Sequence, residues 1–196
     1  MAKLYFTCSS MNSGKSTTLL QNAFNYEERG MDVMIFNFHG DTRMGSGTVN
    51  SRIGISAPAN LYSPETNIFN VVKAEQKSIK CIFVDEAQFL TKEQVWQLSD
   101  VVDKLEIPVL TFGLRTDFQG EPFEGSKYLL SWADEIRELR GICFCGKKAT
   151  FVLRKDSQGN VVTDGDQISI GGEEQYVSVC RRHYKQAMDD ARNEIK

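Results

Sequence analysis

Short apolar runs alternate along the chain with stretches whose apolar residues recur at helical spacing. Leu4-Tyr5-Phe6-Thr7-Cys8 reads as a buried strand, and a Ser- and Gly-containing loop follows. A helix then begins near Lys15, with Leu19, Leu20, Ala23 and Phe24 on one face and Gly30 as a stop after Arg29. Val33-Met34-Ile35-Phe36 is the next strand. Residues 39–64 are polar and Gly-rich and read as a long loop. Ile68, Phe69, Val71 and Val72 suggest a helix, and Cys81-Ile82-Phe83-Val84 a third buried strand ending at Asp85-Glu86. Thr91 with Gln94 has the form of a capping box, followed by a helical face of Val95, Leu98, Val101, Val102 and Leu105. Pro108 opens a fourth strand, Val109-Leu110-Thr111-Phe112, and a further helix is predicted over residues 126–139.

Strands alternating with helices predict an α/β domain with a parallel sheet whose ligands sit at the C-terminal strand ends. The pattern changes after Arg140. Short strands and Gly turns take over at residues 149–153, 158–160, 168–170 and 176–179, and the tail from Arg181 is helical and charged. A boundary near residue 141 would divide a domain of residues 1–140 from a small β lobe of residues 141–196.

Chemistry enters at the strand ends. Ser9-Ser10-Met11-Asn12-Ser13-Gly14-Lys15-Ser16-Thr17 lies between a strand and a helix, the context of a Walker A phosphate loop. Its backbone N–H groups would surround phosphate oxygens, Lys15 would meet the β and γ phosphates, and Ser16 could ligate Mg²⁺. Ser9 stands where the usual first Gly would be, which would strain the turn if that position needs positive φ. Asp85, at the end of the third strand, is the residue type that holds Mg²⁺ across from such a loop. Strand alternation would point Glu86 the other way, where it could take a proton from an acceptor hydroxyl.

Five cysteines and two histidines are present. Cys143-Phe144-Cys145 and Cys180-Arg181-Arg182-His183 offer three thiolates and one imidazole, the ligand set of a closed, structural zinc site. Cys8 and Cys81 fall on core strands and read as small buried hydrophobes. His39 lies at a strand end.

Composition narrows the function class. The net charge is −3, with 41% hydrophobic and 25% charged residues, so a broad basic footprint for nucleic acid is not expected. No apolar run approaches membrane-spanning length, and the N-terminus lacks signal-peptide zones. A cytoplasmic location with reduced thiols is the expectation.

Taken together, these motifs resemble the type II thymidine kinases, a small, tetrameric, zinc-containing family. The likeness spans nearly the whole chain. It includes Met11 to Thr17, Asp41-Thr42-Arg43, Asp85-Glu86-Ala87-Gln88-Phe89, Phe118-Gln119-Gly120 with Phe123, Ile170-Gly171-Gly172, and Tyr176 to Cys180. It implies a RecA-like domain, a zinc-bearing lobe with a lasso loop, a homotetramer, and transfer of phosphate from ATP to the thymidine 5′-hydroxyl. Glu86 would be the proton acceptor. Asp85 with Ser16 would hold Mg²⁺, Asp41 and Arg43 would approach metal and phosphates, and Gln88 would belong to the nucleotide site. Met11, Phe89, Leu114, Phe118, Phe123 and Tyr176 would enclose the base, with backbone from Gln167, Ile168, Ser169, Ile170 and Gly171 on its edge.

Two rival readings stand beside this one. A nucleic-acid-dependent ATPase could use the same Asp-Glu-Ala-Gln run, but 196 residues leave no room for paired motor domains. A non-catalytic nucleotide-binding module would not need Glu86 or the aromatic cluster.

Overall fold

A computed structural model describes residues 1–40, 47–167 and 175–194. Its centre is a six-stranded sheet made from β1 (Leu4–Ser9), β2 (Asp32–Phe38), β5 (Asn60–Tyr62), β6 (Ile79–Val84), β7 (Val109–Leu114) and β8 (Glu135–Glu138). The strand order is β5-β2-β6-β7-β1-β8, and every pairing is parallel. Parallel strands covered on both faces need apolar side chains on both, which is why β1, β2, β6 and β7 appear as near-continuous apolar runs. The predicted α/β core with a parallel sheet is therefore present.

The helices supply the covers. Leu19, Leu20 and Ala23 of α1 (Lys15–Glu27) pack with Ile35, Cys81, Phe83 and Phe112 on one side. On the other, Ile68 and Val72 of α2 (Ile68–Glu75), Val95, Leu98 and Val101 of α3 (Lys92–Leu105) and Leu129 of α4 (Glu124–Trp132) close over Leu4, Phe6, Ile82 and Val109. The predicted capping box opens α3. Thr91 accepts from the Gln94 N–H, and the Gln94 side chain accepts from the Thr91 N–H. Cys8 and Cys81 are both buried, as expected of small core residues.

Two predicted elements differ. The helix over residues 126–139 stops at Trp132, and residues 135–138 form β8 instead, paired with β1. The Asp134 carboxylate accepts the Leu4 N–H at 2.7 Å, anchoring the turn into that strand. An edge strand reading Glu-Ile-Arg-Glu lacks the apolar run of its buried neighbours, so it resembles a charged helix end. The described part of the stretch over residues 39–64, from residue 47 onward, also holds more order than a loop. β3 (Thr48–Asn50) and β4 (Ser56–Pro58) form a hairpin, and β5 completes the sheet edge with Tyr62 fully buried.

The C-terminal part has its own apolar cluster of Cys143, Ala149, Leu153, Val179, Cys180, Tyr184 and Met188. It is built from the hairpin of β9 (Gly141–Ile142) and β10 (Lys148–Ala149), the antiparallel pair of β11 (Phe151–Lys155) and β12 (Gln175–Val179), and α5 (Arg181–Glu194). The predicted strand at residues 168–170 lies outside the described residues. Among the described residues, no helix is long and apolar enough to cross a membrane.

Candidate active site

β1 ends at Ser9, and the chain turns through Asn12 and Gly14, both with positive φ, before α1 begins at Lys15. Ser9 is not among the positive-φ residues, so the turn does not require the Gly that is missing there. Its hydroxyl instead accepts from Lys15 Nζ at 3.2 Å and donates to the Ser10 carbonyl at 2.9 Å. Lys15 also donates to the Ser10 carbonyl at 3.1 Å, which folds the ammonium into the loop. The Ser10 and Ser13 hydroxyls pair at 3.1 Å, and Thr17 pairs with Ser51 of the β3–β4 connection.

Across β7 from this loop, β6 presents Asp85. The Ser16 hydroxyl donates to Asp85 Oδ2 at 2.7 Å, joining two residues that lie 69 positions apart. Burial pushes the Asp85 carboxyl up to about 7, with the neighbouring Glu86 charge adding to the effect. The Ser16 hydroxyl, the Glu86 N–H and Lys15 act against that shift. A buried carboxylate beside a hydroxyl, both hard oxygen donors, fits a divalent cation such as Mg²⁺.

Glu86 departs from the expected strand geometry. β6 ends at Val84, and Glu86 takes a left-handed conformation (φ 50°) as the cap of the 3₁₀ turn Ala87–Phe89. Its orientation is thus set by a turn rather than by strand alternation. Hydrogen bonds from both backbone and side chain hold it. Its N–H donates to Asp85 Oδ1 at 3.0 Å, its carbonyl accepts the Tyr62 hydroxyl at 2.8 Å, and its carboxylate accepts from Gln88 Nε2. Gln88 Oε1 accepts the Leu114 N–H at 3.0 Å, so one buried amide ties the end of β6 to the end of β7.

Aromatic side chains gather beside the turn. Phe89 packs against Phe38 at 4.5 Å between centroids and edge-on to Phe123 at 5.8 Å. His39 stands edge-on to Phe38. Phe118 is buried with the Arg154 guanidinium 4.9 Å from its ring centroid, and its carbonyl accepts the Tyr184 hydroxyl. Leu114 and Tyr176 are half-buried at the ends of β7 and β12. Gln167 Nε2 donates to the buried Asp117 carboxylate at 2.8 Å. Asp41, Arg43, Ile168, Ser169, Ile170 and Gly171 lie outside the described residues.

The four predicted metal ligands converge. Ligand atoms of Cys143, Cys145, Cys180 and His183 all lie within 4.8 Å of one another. Cys143 and Cys145 sit on the turn between β9 and β10, where Gly146 at φ 80° lets its N–H reach the Cys143 carbonyl at 2.8 Å. Cys180 immediately precedes α5, and His183 lies in its first turn. Cys145 Sγ is 3.9 Å from Cys180 Sγ, and His183 Nδ1 is 3.3 and 3.6 Å from the sulfurs of Cys143 and Cys180. Tetrahedral zinc with bonds of about 2.3 Å to sulfur and about 2.0 Å to nitrogen sets these edges near about 3.8 and about 3.5 Å. The donor set and its spacing fit that metal. Desolvation opposes ionisation of Cys143, but N–H groups of Cys145 and Cys180 and the His183 ring hold its thiol down at about 6.

With this geometry in place, comparison with known proteins is decisive for kinship. A family model described as thymidine kinase matches residues 2–184. The chain belongs to the thymidine kinase family. A thymidine kinase of Aliivibrio fischeri is 60% identical over 190 residues, covering 96% of this chain and 99% of that protein. One from Mannheimia succiniciproducens is 61% identical over 188 residues, covering 95% and 96%. Among solved structures, Bacteroides Pif1 bound to single-stranded DNA aligns with 70% of this chain and 38% of its own. Its TM-score is 0.41 at 16% identity, too slight a likeness to bear on function.

For this thymidine kinase family member, several residues that shape the site are not evident from sequence. Tyr62 sits in a polar stretch that reads as loop, although a lone Tyr among polar residues can bury its ring and spend its hydroxyl on a backbone carbonyl. Asp117 is buried and accepts the N–H groups of Gln119 and Glu121, both at 2.9 Å, a turn that an Asp ahead of Gly120 could signal. Gly125 lies so close to the 3₁₀ turn that a Cβ there would stand 2.4 Å from the Ala87 carbonyl oxygen. No local signal marks that approach.

Proposed function

We propose that the protein transfers the γ-phosphoryl group of ATP to the 5′-hydroxyl of thymidine, giving ADP and thymidine 5′-monophosphate. The observation that carries this reading is the placement of Glu86. Its carboxylate accepts from Gln88 and its backbone carbonyl from Tyr62, next to a Ser16–Asp85 pair and a strand–loop–helix phosphate site.

In this reading, the loop from Ser9 to Thr17 binds the ATP phosphates through its N–H groups, and Lys15 leaves its Ser9 and Ser10 partners to meet them. Glu86 accepts the proton of the nucleoside hydroxyl as that oxygen forms its bond to the γ phosphorus. The bond from that phosphorus to the ADP oxygen breaks, and ADP carries the electron pair away. Ser16 and Asp85 are the residues that would hold Mg²⁺, whose role is to neutralise phosphate charge. Asp41 and Arg43 are assigned to the same region, and Gln88 acts here by orienting Glu86.

Met11, Phe89, Leu114, Phe118, Phe123 and Tyr176 enclose the base, and the family resemblance assigns backbone groups of Gln167 and residues 168–171 to bond its edge. The Cys143, Cys145, Cys180 and His183 set has no ligand position left for substrate, so zinc there stabilises the lobe from residue 141 onward. A homotetramer in the cytoplasm completes the reading, with no role for nucleic acid or membrane.

The test is ADP release from ATP and Mg²⁺ with thymidine, deoxyuridine, deoxycytidine, single-stranded DNA or no acceptor. Thymidine-dependent release is expected. Release that depends on DNA, or that ignores every nucleoside, would replace this function with an ATPase reading.

A further inference from the structure

The phosphate loop does not stand alone against α1. It is bonded from behind by the Cys/His lobe, and the connections are specific. The Ser178 hydroxyl of β12 donates to the Met11 carbonyl at 2.8 Å, across 167 positions of sequence. The Ser10 hydroxyl donates to the Ala149 carbonyl of β10 at 3.4 Å. Gly141 of β9 is so close to the loop that a Cβ there would lie 2.5 Å from both Ser10 Oγ and Ser13 Oγ. Short strands of the lobe thus reach the loop at Ser10, Met11 and Ser13.

The alternation of β12 makes the arrangement directional. Val177 and Val179 pack into the lobe's apolar cluster. Tyr176 and Ser178 therefore occupy the opposite face. The Ser178 hydroxyl turns toward the loop, and Tyr176 on that face is one of the proposed base contacts. Cys180, one residue past the strand, belongs to the metal-ligand cluster.

We infer that Ser178 is a positioning residue for ATP, and that it aligns the phosphate loop by fixing the Met11–Asn12 peptide; this rests on the kinase reading above. The carbonyl and N–H of a trans peptide point to opposite sides. Holding the Met11 carbonyl against β12 therefore turns the Asn12 N–H away from β12. Asn12 is left-handed (φ 61°), a conformation that Asn enters more readily than most residues with a Cβ. The Ser13 hydroxyl gives the same carbonyl only a 3.4 Å contact, so Ser178 is the shorter of the two supports. Without it, the loop would sample other peptide orientations, and ATP binding would have to select the competent one.

The test compares wild type, Ser178→Ala and Ser178→Thr, which keeps the hydroxyl. Steady-state kinetics are read together with deuterium exchange of a peptide covering residues 9–14, with and without ADP. Loss of one neutral hydrogen bond corresponds to about a two- to tenfold rise in KM for ATP. Ser178→Ala is expected to show that rise with kcat within about twofold. It should also show faster exchange of the loop peptide alone, and Ser178→Thr should restore both. Unchanged KM and unchanged loop exchange would overturn the inference, as would a uniform increase in exchange across the lobe with KM unaltered, which marks a purely structural role. If Ser178→Ala does not fold, Ser178→Cys, a weaker donor, is read by the same two criteria. The exchange measurement does not depend on the acceptor. An inactive wild type would therefore refute the kinase reading alone, because loop exchange with and without ADP still separates the Ser178 variants.

Discussion

Replacing Gln88 by Leu tests how Glu86 is held. The Gln88 side chain is buried and uses both ends of its amide, donating to the Glu86 carboxylate and accepting the Leu114 N–H at 3.0 Å. There is no slack around it, because a Cβ on Gly113 would come within 2.9 Å of both Gln88 N and Gln88 Oε1. Leu has similar bulk but can make neither bond. A hydrogen bond to a charged group contributes about 1.5–3 kcal/mol. If that energy serves to orient Glu86 for proton abstraction, its loss lowers kcat by about 10- to 100-fold. The Leu114 N–H would also lose its partner at a cost of about 1–3 kcal/mol in stability. The assay is kcat and KM for ATP and thymidine, alongside urea unfolding. The expected result is a loss concentrated in kcat together with a lower unfolding midpoint. A folded Gln88→Leu protein with kcat within about twofold of wild type would refute the orienting role, since a misdirected base cannot leave the chemical step intact.

Asp85 should make stability depend on pH in the metal-free protein. Its carboxyl is raised from an ordinary 3.8 to about 7, so its destabilising effect is absent below about pH 4, grows toward pH 7 and is complete above it. The full shift corresponds to an upper limit of roughly 4 kcal/mol. Asp85→Asn should therefore gain melting temperature over wild type at pH 8 and little at pH 4.5; an equal gain at both pH values would contradict the burial argument. Gly125→Ala places a Cβ against the carbonyls of Ala87, Gln88 and Leu90, which as backbone atoms cannot swing aside, and should destabilise by about 1–3 kcal/mol in chemical denaturation. Elemental analysis should find one zinc per chain, with Cys180→Ser losing the metal and unfolding at lower temperature; a metal-free protein of wild-type stability would end the zinc assignment.

What can be read from the sequence follows from where each residue's constraint originates. The strands at residues 4–8, 33–36, 81–84 and 109–112 are legible because burial on both faces forces apolar runs. The Cys/His set is legible because ligand chemistry admits few residue types. β8 passes for a helix end because a four-residue edge strand is free to be charged, and Tyr62 is inconspicuous because a fully buried ring can sit in a strand of only three residues whose other two are exposed. The Asp85–Glu86 pair is legible, but its geometry is not. Strand alternation fails once Glu86 adopts φ 50°, a conformation stabilised by Tyr62 from 24 positions upstream. The Ser178 contact is invisible for the same reason, since no local pattern encodes a bond spanning 167 positions.

In the proposed reaction Glu86 takes the proton from the thymidine 5′-hydroxyl during transfer from ATP. The most direct test of this step follows γ-phosphate label from ATP to thymidine in single-turnover experiments with wild type and Glu86→Gln, both saturated with nucleotide. Wild type should place label on the 5′-oxygen, and Glu86→Gln should do so at a rate about 100-fold or more lower with unchanged ATP affinity. Transfer by Glu86→Gln at the wild-type rate would contradict this role of Glu86.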